Sequence, residues 1–216
     1  MTVKGLLGYP RLAARVAPPY AEVVSSLLPF WAPLSDENVL LRPLALTDAR
    51  PLAEAAVERD TYDYTIVPEG AEEAREYVHR LLEEAATGQC APYVIVANER
   101  VVGATRLMSP RWFSPRLAPD VVEIGGTWLA QSHQRTGLNR AVKNLLLTHC
   151  FTTMEVGRVE FKTDRRNERS RDALRRLGAR EEGVLRRAHP SLVRGEEGRA
   201  RDSIMFSLLP EEWTAG

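Results

Sequence analysis

Two stretches of the chain carry apolar residues at helical spacing. Ala71, Ala74, Tyr77, Val78, Leu81, Leu82 and Ala85 form one such stripe, which Gly88 closes, and Leu138, Val142, Leu145, Leu146 and Met154 form another, which extends to about Val156. Each predicts a helix with one buried face. Two shorter helices are predicted: one starts at Thr47-Asp48, with Asp48 as cap and Leu52, Ala55 and Ala56 facing inward, and the other runs from Glu168 to Leu177 and ends at Gly178. β-prone runs lie between them. They are Val39 to Leu46, where Pro43 favours a sheet edge, then Tyr93 to Ala97 and Val101 to Met108, which flank the tight connection Asn98-Glu99-Arg100 of a hairpin. Val121 to Leu129, Arg158 to Thr163, Val184 to Arg187 and Ile204 to Leu208 complete the set, and the order argues for a mixed α/β sheet.

The N-terminal residues 1–38 are rich in proline (Pro10, Pro18, Pro19, Pro29, Pro33), with room for one short helix from Tyr20 to Leu28. They read as an extension preceding a single domain that spans 39–210. Val23, Leu27, Leu28, Phe30 and Trp31 are apolar enough to dock on that domain or on a second subunit, so a homodimer is one expectation.

The stretch from Val121 to Asn139 organises the rest. Gly125 and Gly126 interrupt its strand, which a sheet tolerates where the backbone bulges or is closely approached. The polar loop Ser132 to Gly137 then opens the second long helix, and a helix N-terminus beside a glycine presents free N–H groups and a positive dipole to an anion such as a pyrophosphate. Arg135 and Arg140 bracket this loop and suit phosphate. Strand, glycine loop and helix also occur together where no phosphate binds. The loop lacks both the Gly-Lys-Ser/Thr ending of a P-loop and the three-glycine spacing of a dinucleotide fold.

Gln134-Arg135-Thr136-Gly137-Leu138-Asn139 resembles the acetyl-CoA loop of the GNAT superfamily of N-acetyltransferases, Gln/Arg-x-x-Gly-x-Gly/Ala, with Asn139 in place of the final small residue. The strings TWLAQSHQRTGLN and EFKTDRRNERSRDALRRLGAREEGVLR resemble the branch that acetylates ribosomal-protein N-termini. The resemblance implies a mixed, mostly antiparallel α+β sheet of about seven strands, flanked by about four helices and splayed at its central strands. It implies acetyl-CoA as co-substrate without a metal. Main-chain groups of Thr127, Trp128 and Leu129 would hold the pantetheine arm, Gln134 to Asn139 the pyrophosphate, and Asn167 the pantetheine again. Ser170 would protonate the departing thiolate.

The residues themselves leave alternatives open. Asn167 suits a helix N-cap as well as a ligand contact. Glu123 could deprotonate an amine through water, attract its cationic form, or be a plain strand carboxylate. Tyr62, Tyr64 and Trp112 could line an acceptor pocket or pack in the core.

Composition narrows the picture further. Lys+Arg 29 against Asp+Glu 29 gives no global electrostatic pull toward nucleic acid or an anionic membrane. Cys90 and Cys150 are too few for a disulfide framework, His79, His149 and His189 lack metal spacing, and no apolar run reaches the ~20 residues of a membrane span. A cytoplasmic enzyme is expected. It would move an acetyl group from acetyl-CoA directly to a primary amine, with a protein N-terminus as acceptor. The alternatives are a small amine such as an antibiotic or polyamine, or a non-catalytic CoA-binding module.

Overall fold

The computed structural model describes residues 26–214. One eight-stranded sheet runs through the domain. Its strands are β1 (Leu34–Ser35), β2 (Leu40–Pro43), β3 (Cys90–Ala97), β4 (Arg100–Arg111), β5 (Val121–Leu129), β6 (Arg158–Asp164), β7 (Arg180–Pro190) and β8 (Ala200–Leu208), in the spatial order β1-β2-β3-β4-β5-β6-β8-β7. Among the described residues four α-helices accompany them: α1 (Ala49–Ala55), α2 (Gly70–Ala86), α3 (Leu138–Thr148) and α4 (Glu168–Arg176). Every neighbouring pair is antiparallel except β5 and β6, which run parallel because α3 carries the chain back between them.

The sheet has one strand more than expected. Its β1 comes from the segment before Val39, which is partly built into the domain: Leu27 is fully buried, its N–H donates to Gly88 O at 2.7 Å, and the Trp31 indole donates to Pro92 O at 2.7 Å. Residues 20–25 of the helix expected from Tyr20 to Leu28 lie outside the described residues, and Leu28–Phe30 is a 3₁₀ turn. Asp48 does not cap α1 with its side chain. Its buried carboxylate turns back to accept from Ala45 N at 2.8 Å and from the Arg42 fork at 2.7 and 3.0 Å. The α-helical part of α3 stops at Thr148, and a wider π turn over His149–Thr153 finishes it.

Each face of the sheet is apolar only in part. Against α3 and α4 lie Val122, Ile124, Val159, Phe161, Ile204 and Phe206. On the other face α1 and α2 cover β3 and β4 through Leu52, Val78, Leu81, Val94, Ala104 and Trp128. Further along that face, the alternation of β6 and β8 places Glu160, Lys162, Asp164, Ser203 and Ser207 where an apolar residue would otherwise be expected.

Candidate active site

Strands β5 and β6 pair only at Val121–Glu123 with Arg158–Glu160; from Ile124 onward, among the described residues, β5 has β4 as its single strand neighbour. The parting starts at a bulge. Ala104 lies opposite Trp128 and Arg106 opposite Gly125, so Gly126 and Thr127 together face Thr105. Gly126 adopts φ +59°, and a Cβ there would stand 3.0 Å from the Arg106 guanidinium, so this position needs glycine on both counts. The consequence is a cleft between β5 and β6 with an unpaired strand edge on one wall, able to bond an extended chain carrying amides.

The cleft is lined with polar groups that are almost sealed from water. The Thr127 hydroxyl meets the Thr105 hydroxyl at 2.7 Å and accepts from Lys143 Nζ at 2.6 Å. Lys143, on α3, is 7% exposed and stands 5.7 Å from the centre of the Phe161 ring. Burial pushes its ammonium down to about 7, against the weaker attraction of Glu123. Glu123, 5% exposed, points its Oε2 to Lys162 Nζ at 3.3 Å. Neither lysine is legible as a site residue from motifs. Lys143 does leave a trace, as a charge set inside the apolar stripe of Val142, Leu146 and Leu147.

At the mouth of the cleft α3 begins. Gly137 is its left-handed N-cap at φ +90°, and Arg135 is also left-handed at φ +62°. Among the described residues the backbone N–H groups of Arg135, Thr136, Gly137 and Asn139 donate to nothing. Such a row at the positive end of a helix fits a pyrophosphate. Arg135 and Arg140 are exposed beside it, Asn139 is half-buried and Leu138 turns into the core.

The side chain of Gln134 is engaged elsewhere: its amide donates to Leu129 O and Thr61 Oγ1, each at 2.8 Å, and its oxygen accepts from Arg169. It braces the end of β5 against the segment between α1 and α2 and against α4. Its main-chain N–H is taken as well, by Gln131 O at 3.1 Å, so Gln134 holds the loop in place and offers no free donor to an anion.

Asn167 caps α4, its oxygen accepting from Ser170 N at 3.0 Å, which leaves its side-chain NH₂ free to donate. Ser170 is half-buried one turn into α4, and its hydroxyl makes no hydrogen bond among the described residues.

The three aromatic candidates separate. Tyr62 is buried: its hydroxyl donates to Leu129 O at 2.9 Å and its ring meets Trp128 edge-on at 5.9 Å, so it packs the end of β5. Tyr64 is half-buried beneath the Arg166 guanidinium at 5.5 Å and borders the polar face of the sheet. Trp112 does not join them. It lies beyond the Val121 end of β5, opposite to the Leu129 end where Tyr62 is held, and its indole donates to Leu117 O at 3.3 Å. The Trp128 side chain donates to Tyr77 Oη at 3.3 Å beneath α2, leaving only its main chain on the cleft.

Comparison with known proteins agrees with this geometry. The acetyltransferase (GNAT) domain family matches residues 38–180. The uncharacterised N-acetyltransferase p20 of Bacillus licheniformis is 27% identical over 184 residues, which are 83% of this chain and 97% of that protein. Mycobacterium smegmatis RimJ, solved with CoA-disulfide, superposes with a TM-score of 0.66 at 26% identity, covering 83% of this chain and 87% of its own. The microcin C7 self-immunity acetyltransferase MccE, solved with acetyl-CoA and AMP, is alike in fold alone, with a TM-score of 0.68 at 17% identity over 81% of this chain and 93% of its own. With the family matched over 38–180, well over half of its length, this chain belongs to the GNAT family as an acetyl-CoA-dependent N-acetyltransferase.

Proposed function

We propose that the enzyme acetylates a primary amine presented on the polar sheet face, and that a protein N-terminal amine is the acceptor. The observation that carries this reading is the parting of β5 from β6 after Glu123, which joins the anion-binding start of α3 to the polar face through a single cleft. The free N–H groups of Arg135, Thr136, Gly137 and Asn139, flanked by Arg135 and Arg140, would hold the pyrophosphate. The main chain of Thr127 and Trp128, the N–H of Leu129, whose carbonyl is already held by Tyr62 and Gln134, and the side-chain amide of Asn167 would hold the pantetheine. When bound, acetyl-CoA supplies an acetyl group activated as a thioester.

The chain's own residues then manage protons. Glu123, nearly buried and held by Lys162, attracts the acceptor's cationic amine to the cleft and takes up its proton through water. The Ser170 hydroxyl, unbonded among the described residues, supplies a proton to the departing thiolate. An α-amino group, with a reference pKa of about 7.7–8.0, reaches its neutral form far more readily near pH 7 than a lysine at about 10.4, which favours an N-terminus as acceptor. A cytoplasmic setting suits the buried free thiols of Cys90 and Cys150.

The test is thiol release from acetyl-CoA with peptides and small amines as acceptors. Turnover of peptides bearing a free N-terminus, and none of the same peptides with the N-terminus blocked, is the expected result; turnover of small amines alone would replace the peptide by a metabolite. Glu123→Gln is expected to raise the acceptor KM most at low pH, where the amine is cationic, and an unchanged KM would remove Glu123 from the acceptor site.

A further inference from the structure

Three buried guanidinium nitrogens have no hydrogen-bond partner among the described residues: Nε of Arg106, Arg171 and Arg201. The first two belong to side chains whose other nitrogens sit on carboxylates, Arg106 on Glu84 and Arg171 on Glu168 and Glu181. Arg201 differs. Among the described residues it has no carboxylate within ion-pair distance, and burial pushes its guanidinium below the usual arginine range while Asp164 and Glu123 attract it only from further away. A half-buried cation left uncompensated in this way is costly to the fold, and an anion would offset that cost.

The surroundings of Arg201 are open to a ligand. It lines a cavity of about 290 Å³ together with four further arginines, Arg165, Arg166, Arg187 and Arg199, and three carboxylates, Asp164, Glu196 and Asp202. Asp202 faces Arg165 at 3.9 Å. Arg166 is taken by Asp164 and Glu196, at 2.8 Å each, whereas the side chains of Arg187 and Arg199 have no ion pair among the described residues. Arg187 sits in the irregular stretch of β7 between Leu185 and His189, at φ +50°, with its N–H fixed on Asp202 Oδ1 at 2.9 Å. A bulge of this kind re-aims a side chain. The cavity therefore carries more positive than negative charge that is not already neutralised, and arginine forks suit carboxylates and phosphates.

Arg201 also shares the sheet face of the reaction cleft. Lys162, the partner of Glu123, lies opposite Met205, and Arg201 follows four residues away on β8. That separation is roughly 13 Å along a strand.

We infer that the acceptor carries an anionic group, which docks on Arg201, Arg187 and Arg199 while its amine lies at Glu123. This rests on the acetyltransferase reading above and narrows its acceptor class. An extended peptide would place an acidic side chain there within about its first four residues, and a small acceptor would carry a carboxylate or phosphate at similar reach.

The test uses the full chain and matched acceptors. The pairs are tetrapeptide amides with aspartate or asparagine at the third and fourth positions, and an aminoalkyl carboxylate and an aminoalkyl phosphate, each against the corresponding alcohol. The anionic member of at least one pair is expected to have a kcat/KM roughly 10- to 100-fold higher, and the pair that shows it identifies the source of the anion. Arg201→Gln should erase that preference through the acceptor KM, leave the acetyl-CoA KM in place, and be partly rescued by Arg201→Lys. Should Arg201→Gln not fold, as judged by circular dichroism, Arg199→Gln and Arg187→Gln must each reduce the preference. Equal kcat/KM across every pair, a preference that survives the substitutions, or a loss confined to acetyl-CoA affinity overturns the anion site and leaves the acetyltransferase standing. No thiol release with any member from folded protein overturns both.

Discussion

The two halves of the sheet are built on opposite rules. In β3 and β4 both faces are apolar, because helices cover each side; Val94 and Ala104 meet α1 and α2, while Tyr93, Ile95 and Leu107 meet the core under α3. In β6 and β8 one face is apolar and the other carries Glu160, Lys162, Asp164, Ser203 and Ser207, buried or half-buried. Their burial is tolerated because the charges are paired: Glu160 holds Arg111 and Arg158 at 2.7 Å each, and Asp164 holds Arg166 at 2.8 Å. The first half stores stability in packing, and the second half holds a buried polar surface in place. Between them β5 belongs to both, paired to β4 along its length and to β6 at one end.

Substitutions should separate the halves by which quantity they move. The largest effect is expected at the cleft: Ser170→Ala should lower kcat by about 10²–10⁴-fold, as for a positioned acid, with acetyl-CoA affinity and melting temperature unchanged. Steady-state kinetics beside calorimetry would check it, and a wild-type kcat from pH 6 to 9 would end the assignment.

In the packed half the pattern should invert. Leu81, 2% exposed on α2, should cost about 2–5 kcal/mol as Leu81→Ala in chemical denaturation, while activity per folded molecule stays at the wild-type level.

Lys143 couples the two halves and should show itself through pH. Its folded pKa of about 7 lies below the ordinary lysine value of 10.5, so between these values the unfolded chain binds more protons and stability rises with pH. The slope from this group is at most about 1.4 kcal/mol per pH unit. Lys143→Met should lose that rise, and so be more stable than wild type near pH 6 with the difference closing toward pH 10. Denaturation series across that range decide the matter; parallel pH profiles for the two proteins would show that Lys143 is not buried as a near-neutral amine.

The smallest effect belongs to the loop. At φ +90° with open space where a Cβ would go, Gly137→Ala meets strain and no clash, so it should destabilise by about 1–2 kcal/mol and weaken acetyl-CoA binding by shifting the free N–H groups. Unaltered affinity in calorimetry would place the pyrophosphate elsewhere.

Legibility followed the range of the interactions. The bulge at Gly126-Thr127, flagged by the Gly125-Gly126 pair, the helix opened by Gly137, the hairpin with Asn98 and Glu99 at positive φ and the cap Asn167 are local events, and local sequence signals marked all four. Strand β7 was recognised over only part of its length, because Arg180–Pro190 is charged and largely exposed and so has no apolar alternation to read. Gln134 belongs to the loop by its motif, yet its side chain spends its bonds on Leu129, Thr61 and Arg169, partners up to 73 positions away.

By itself the sequence determined the mixed α/β class and most of its elements, the helix start that can receive a pyrophosphate, and the placing of Asn167 and Ser170 one turn apart, since periodicity, glycine and capping act over a few residues. Only the tertiary structure decided that Lys143 closes on Thr127, that Glu123 meets Lys162, that Trp112 lies away from Tyr62 and Tyr64, and that Arg201 is left without a partner among the described residues. Those outcomes depend on strand register and on which face each alternating residue takes, and a charge's burial is set by chain segments distant in sequence.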